Sequence, residues 1–137
     1  MSAFTREILI RFEHCDAAGL MFYPRFFALL NETVEDWFAT LGRPFAALHV
    51  RDRKGVPTVK LDAEFLAPAR MGERLTQSLR VAHLGHSSCR LVHAASIGAT
   101  TIARFEQTIV FVDLDTMKPE PWPLELRAAM GRYLEPI

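Results

Sequence analysis

The sequence predicts an α+β protein in which an antiparallel sheet is built around one long helix. A segment of alternating apolar and polar residues comes first, and a long segment with helical periodicity follows it. Four further alternating segments then come one after another, without helices between them. Strands in direct succession are typical of antiparallel sheets, whereas parallel sheets alternate strands with helices. The chain of 137 residues is long enough for one core, so residues 1–137 are treated as a single domain.

The first strand and the long helix are predicted from their periodicity. Alternation over residues 4–12 predicts a half-buried strand, with Phe12 on its apolar face. Small and polar residues at 14–19 predict a loop. Apolar residues then recur at spacings of three and four over residues 24–41, and Pro24 suits the first helical position. Gly42 is expected to end this helix.

Four strands and a short helix are predicted in the rest of the chain. The second strand carries Val59, Leu61 and Phe65 on one face and ends at Pro68. The others are predicted over residues 75–83, 88–97 and 101–112, joined by turns at residues 84–87 and 98–100. A proline-rich stretch precedes a short amphipathic helix, whose apolar side is formed by Leu126, Met130, Tyr133 and Leu134.

Composition and the N-terminus argue against several classes of protein. Sixteen basic and 16 acidic side chains balance, without a block of like charge, so a nucleic-acid partner is not expected. The first residues lack the features of a signal peptide, and no apolar run approaches the roughly 20 residues of a membrane span. The two cysteines, Cys15 and Cys89, fit a reducing compartment. We therefore expect a cytoplasmic protein without a membrane span.

Residues 11–24, Arg-Phe-Glu-His-Cys-Asp-Ala-Ala-Gly-Leu-Met-Phe-Tyr-Pro, are the most informative segment for function. They place the carboxylate of Asp16 in a loop shortly before the free N–H groups of a helix N-terminus. Such N–H groups stabilise the oxyanion formed when a thioester carbonyl is attacked, and a carboxylate can attack that carbon or activate a water. Alternatively, Asp16 merely caps the turn, which is a common role for aspartate in loops.

This segment resembles the signature of the 4-hydroxybenzoyl-CoA thioesterase family, in its Pseudomonas-type branch. The resemblance implies a hotdog fold, in which a five-stranded antiparallel sheet wraps a long helix, and hydrolysis of an acyl-CoA thioester. It implies that Asp16 is the catalytic carboxylate and that the backbone N–H of Tyr23 meets the thioester oxygen. CoA would arrive as part of the substrate, and no metal or other cofactor is expected. Gly19 would be required for the loop conformation.

The resemblance also implies a binding site and an assembly. Candidate substrate-binding residues are Gly19, Phe22, Pro24, Val59, His86 and Arg90. His86 and Arg90 lie near the turn where the family holds the CoA phosphates, although the sequence here has few basic residues. We expect a homodimer or homotetramer with the acyl pocket between subunits, which is where Val59 of a partner would contribute. Two positions depart from the family pattern, because His14 replaces an acidic residue and Ala17 replaces proline.

The sequence leaves several alternatives open. The altered positions 14 and 17 leave room for a binding module that holds an acyl thioester without hydrolysing it. Hotdog hydratases and dehydratases use a histidine with an acidic partner, a role for which His14 is the candidate. Cys15 beside His14 is a weaker candidate nucleophile, and acidic residues of the long helix, including Glu32 and Asp36, are weaker candidate bases. His83 and His86 lack a third metal ligand.

Overall fold

The structure, a computed structural model, describes residues 3–135. Its helices and strands in chain order are β1 (Phe4–Leu9), α1 (Tyr23–Thr40), β2 (Lys54–Gly55), β3 (Thr58–Phe65), β4 (Arg74–Leu84), β5 (Ser88–Ile97), β6 (Thr100–Val110), β7 (Val112–Asp113) and α2 (Leu124–Gly131). A 3-10 turn at Phe12–His14 precedes α1, and a π-helical turn at Ala46–Arg51 follows it. Within the described residues, neither helix combines the length and apolarity that a membrane span requires.

Five strands form one antiparallel sheet in the order β1-β4-β5-β6-β3. One side of α1 is buried against this sheet, through Phe26, Leu29, Leu30, Val34, Trp37 and Phe38. The first half of the helix packs with Leu75 and Phe105, and the second half packs with Leu79 and residues of α2. The predicted α+β architecture, with a five-stranded antiparallel sheet and one long helix, is therefore confirmed.

Three boundaries differ from the sequence prediction because tertiary contacts override local alternation. β1 ends at Leu9, and the chain then turns through Phe12–His14, which leaves Phe12 80% exposed rather than on a buried face. The predicted last strand is divided, because β7 leaves the main sheet and pairs with β2. α2 ends at Gly131, so Tyr133 and Leu134 lie beyond it, and the Tyr133 carbonyl accepts a hydrogen bond from the Val81 N–H.

The edge strand β3 is exposed on both faces. The sequence predicted that Val59, Leu61 and Phe65 share one face of the strand, and in the single chain they are 61%, 39% and 45% exposed. β3 is the last strand of the sheet, and its outer edge has no partner strand within residues 3–135. A register shift between Thr58 and Lys60 also places Val59 in an irregular part of the strand.

Candidate active site

Residues 14–22 form a small hairpin immediately before α1. The His14 carbonyl accepts a hydrogen bond from the Phe22 N–H at 2.9 Å, and the Asp16 N–H donates to the Leu20 carbonyl at 2.9 Å. The turn between the two arms is closed by the Gly19 N–H, which donates to the Asp16 carbonyl at 3.0 Å. Gly19 has a φ of +76°, a conformation that glycine adopts without the strain a side chain would add. The hairpin thus ties Asp16 to the start of the helix.

The exposed carboxylate of Asp16 uses one oxygen to hold this turn. Its Oδ1 accepts hydrogen bonds from the Ala18 N–H at 2.9 Å and from the Leu20 N–H at 3.2 Å. Its Oδ2 has no hydrogen-bond partner among residues 3–135. The capping role and a catalytic role are therefore compatible, because the bonds that cap the turn also fix the carboxylate and leave one oxygen for chemistry.

The first turn of α1 offers one free backbone donor. Tyr23 opens the helix and its N–H has no acceptor in the described part of the chain. Pro24, in the second helical position rather than the predicted first, has no N–H, and the Arg25 N–H donates to the Phe22 carbonyl at 2.9 Å. The aligned peptide dipoles of the helix also place a partial positive charge at its N-terminus. The Tyr23 N–H is therefore suited to stabilise a developing negative charge.

An aromatic cluster lies beside the helix start. The ring of Tyr23 contacts Phe65 of β3 with a centroid distance of 6.2 Å and Phe22 with one of 5.6 Å, both edge to face. Phe26 lies 5.5 Å from Phe65 and 6.3 Å from Phe105 of β6. Phe22 is a candidate predicted from the sequence, whereas Phe65 and Phe105 were not predicted, because their only signal in the sequence is an aromatic side chain on an alternating strand.

A family model for the thioesterase-like superfamily matches residues 10–130. The chain belongs to this superfamily. A 1,4-dihydroxy-2-naphthoyl-CoA hydrolase of Synechocystis is 25% identical over 128 residues, covering 89% of this chain and 93% of the relative. The sequence-based expectation of a thioester hydrolase is confirmed at the level of this enzyme superfamily.

Comparison with solved structures confirms that this chain has the hotdog fold. The thioesterase superfamily protein of Jannaschia sp. CCS1 has a TM-score of 0.90 at 23% identity, covering 98% of this chain and 94% of its own. The gentisyl-coenzyme A thioesterase BH1999 has a TM-score of 0.84 at 24% identity, covering 93% of this chain and 99% of its own. At these identities, the structural similarity establishes the fold alone.

The remaining candidate residues of this thioesterase-like chain lie away from Asp16. The Met71 N–H donates to the Gly19 carbonyl, which places the start of β4 beside the Asp16 loop. His86 follows the far end of β4, eleven residues long, so at about 3.3 Å per residue it lies roughly 30 Å along the strand. Arg90 pairs with His83 at that same far end. Within one chain, the structure does not bring His86 or Arg90 together with Asp16.

The environment of Cys15 does not favour a thiolate. Burial raises the pKa of the Cys15 thiol, and the negative charge of the neighbouring Asp16 raises it further. A catalytic cysteine needs the opposite, a lowered pKa that makes the thiolate available near neutral pH. Cys89 is buried, and its pKa is raised to about 12 by burial. Neither thiol has the environment of a nucleophile.

Other candidate bases are engaged elsewhere. His14 Nδ1 accepts a hydrogen bond from the Arg11 N–H at 2.9 Å, and its Nε2 lies 3.9 Å from Glu13 rather than facing Asp16. Glu32 and Asp36 of α1 form ion pairs with Arg6, at 3.1 Å and 2.8 Å. Across residues 3–135, no group of three or more histidine, cysteine, aspartate and glutamate side chains is placed to hold a metal ion.

Proposed function

We propose that the protein hydrolyses acyl-CoA thioesters and that its substrates carry a hydroxylated aromatic acyl group. The observation that carries the proposal is that the Asp16 hairpin leads directly into α1, so a carboxylate oxygen without a partner and the unpaired N–H of Tyr23 come from adjoining parts of the chain. The aromatic cluster around Phe65 favours a ring as the acyl group. The relatives named for 1,4-dihydroxy-2-naphthoyl-CoA and gentisyl-CoA support the same class, as does the resemblance to 4-hydroxybenzoyl-CoA thioesterases.

In the proposed reaction, the thioester oxygen accepts a hydrogen bond from the Tyr23 N–H. Asp16 Oδ2 removes a proton from a water, and the resulting hydroxide attacks the carbonyl carbon to give a tetrahedral oxyanion. The C–S bond then breaks, and the CoA thiolate takes up the proton to leave as a free thiol. In the alternative with Asp16 as nucleophile, its carboxylate attacks the carbonyl carbon, the C–S bond breaks to release the CoA thiolate, and water hydrolyses the resulting mixed anhydride to the free acid and the Asp16 carboxylate. We include no cofactor, because these steps need only a carboxylate, a water and an amide.

We further propose a homodimer formed through β3. Two β3 strands that pair antiparallel about a two-fold axis would cover Leu61 and Phe65 and would satisfy the unpaired edge. In that arrangement, the first residues of the partner strand lie beside Phe65, and therefore beside Tyr23, so Val59 of the partner subunit joins the acyl site. A homotetramer is the alternative assembly, and it would offer His86 and Arg90 of further subunits to the CoA phosphates.

The decisive variant is Asp16→Asn, because asparagine keeps the Oδ1 acceptor that holds the turn while it removes the charge. We expect kcat to fall by roughly 100-fold or more, with the unfolding free energy nearly unchanged. The assay is release of free CoA thiol from acetyl-, long-chain acyl-, benzoyl-, 4-hydroxybenzoyl- and 1,4-dihydroxy-2-naphthoyl-CoA. Asp115→Asn, in an exposed loop paired with Arg53, is the matched control. Full activity in Asp16→Asn contradicts the mechanism.

The same panel distinguishes the two other candidate functions. Measurable binding of thioesters without thiol release from any of them would favour the binding module. Loss of water from a 3-hydroxyacyl-CoA without thiol release would favour the dehydratase.

The proposed oxyanion donor can be removed selectively. Tyr23→Pro deletes the N–H, breaks no hydrogen bond within residues 3–135 and places a second proline in the first turn, where proline is tolerated. Phe22 already has the extended conformation (φ −79°, ψ 126°) that a following proline requires. We expect a loss in kcat of roughly 100-fold for Tyr23→Pro. Tyr23→Ala removes the ring but keeps the N–H, so a loss of equal size in both variants would contradict an amide donor.

A further inference from the structure

A cavity lies beside α1, at the first residues of β3. Its volume is about 270 Å³, and its lining includes Asn31, Phe45, His49, Thr58, Gln107 and Ile109. A cavity of about 150 Å³ suffices for benzene, so this one is large enough for one or two fused rings. Phe45 and Ile109 offer apolar contact for a ring, whereas His49 and Thr58 offer polar atoms at the wall.

The hydroxyl of Thr58 is oriented by a buried chain of hydrogen bonds. His93 Nε2 lies 2.8 Å from Gln107 Oε1, and Gln107 Nε2 donates to Thr58 Oγ1 at 2.8 Å. Both His93 and Gln107 are 4% exposed, and burial lowers the pKa of His93 to about 4, so its ring is neutral near pH 7. A neutral His93 donates to the Gln107 carbonyl, which directs the Gln107 amide to Thr58. Because Thr58 Oγ1 accepts that bond, its own proton is available to a ligand.

The ring of His49 offers a hydrogen-bond acceptor, which complements the hydroxyl donor of Thr58. Its Nδ1 lies 3.0 Å from the Phe45 carbonyl, which can only accept, so Nδ1 donates there, and in an imidazole with a single proton Nε2 is the acceptor. The ring also lies 4.5 Å from the Phe45 ring, which restrains its orientation. Gly55 lets Leu114 pack beside the ring, because a Cβ at Gly55 would stand 2.7 Å from Leu114 Cδ2 and 3.6 Å from His49 Nε2. The π-helical turn Ala46–Arg51 holds His49 in place, and such turns often occur at functional sites.

We propose that this cavity selects acyl groups that carry an aromatic hydroxyl, with Thr58 donating to the hydroxyl oxygen and His49 Nε2 accepting its proton. A hydroxyl group is both a donor and an acceptor, so it complements a wall that offers one of each, whereas an unsubstituted ring or an alkyl chain does not. The inference rests on the proposed function and on the β3-paired dimer, in which the cavity of one subunit faces the Tyr23 of its partner. His93 and Gln107 are positioning residues, because they act through Thr58.

The test compares Thr58→Val, which keeps the side-chain shape, with Thr58→Ser, which keeps the hydroxyl. The readout is the ratio of kcat/KM for 1,4-dihydroxy-2-naphthoyl-CoA to that for 2-naphthoyl-CoA. We expect the ratio to fall roughly tenfold in Thr58→Val and in His49→Phe, and to be retained in Thr58→Ser. An unchanged ratio in Thr58→Val and His49→Phe overturns the proposal while leaving the thioesterase function intact.

A binding measurement separates this proposal from hydrolysis. Calorimetry with the free acids 1,4-dihydroxy-2-naphthoate and 2-naphthoate reports the hydroxyl preference whether or not any thioester is turned over. A preference of the wild-type protein for the dihydroxy acid that is lost in Thr58→Val supports the cavity assignment, even if no thiol is released from any substrate. Equal affinity of the wild-type protein for the two acids overturns it.

Discussion

The free energy of unfolding should decrease as the pH falls from 6.5 towards 4, because His93 is buried as a neutral ring. Burial lowers the pKa of His93 from 6.5 to about 4, and the hydrogen bond with Gln107 offsets only part of this shift. Between these two values, the unfolded chain binds a proton on His93 and the folded chain does not. Stability is therefore highest above pH 6.5 and decreases as the pH falls through this window.

The size of the effect follows from the pKa difference. At about 1.4 kcal/mol per pKa unit, a shift from 6.5 to about 4 corresponds to about 3 kcal/mol, most of it lost by pH 4.5. The comparison protein is His93→Gln, whose amide still donates to Gln107 but does not titrate. Urea unfolding of both proteins at pH 7.5 and pH 4.5 measures the difference. We expect the wild type to lose roughly 2 to 3 kcal/mol more than the variant.

Carboxylates also make the free energy of unfolding depend on pH, and comparing the wild type with His93→Gln cancels their contribution. Asp52, for example, has its pKa lowered by a hydrogen bond from Arg51, so its contribution is lost only as the pH falls through that lowered pKa. Both proteins share this contribution, and it cancels in the difference between them. Equal losses of stability in the wild type and in His93→Gln would refute the reasoning.

Three further variants test the loop and the edge strand. Cys15→Ala should release thiol at a rate within about twofold of the wild type, because the raised pKa of Cys15 disfavours a thiolate. A loss of activity as large as that of Asp16→Asn would instead indicate that the cysteine is the nucleophile. Gly19→Ala should lower the unfolding free energy by about 1 kcal/mol and reduce turnover, because φ is +76° there, and unchanged urea unfolding would contradict this. Leu61→Lys should shift the protein to monomers in sedimentation. The control Leu124→Lys on α2, where the side chain is 83% exposed, should leave the dimer intact. An intact dimer in Leu61→Lys would exclude β3 as the interface.

Features that depend on residues close together along the chain were predictable from the sequence. The helix α1 follows from apolar spacing with Pro24 in its first turn, and β5 has the predicted bounds, Ser88–Ile97. The loop at Asp16 was predictable as well, because the Asp16 carboxylate and the Gly19 backbone bond within the loop itself. Resemblance to a family then gave this loop a chemical meaning that its spacing alone did not.

Features that depend on strand order were decided only by the tertiary structure. Alternation along β3 looks the same for a covered strand and for an edge strand, so the exposure of Leu61 and Phe65 could not be read from the sequence. The chain from His93 through Gln107 to Thr58 joins residues 14 and 49 positions apart, and the choice of neighbouring strands creates it. Sequence alone determined where the carboxylate and the helix start lie, since both rest on short-range hydrogen bonds. Which distant side chains surround them was decided by the packing of strands across the sheet, a choice that no local pattern records.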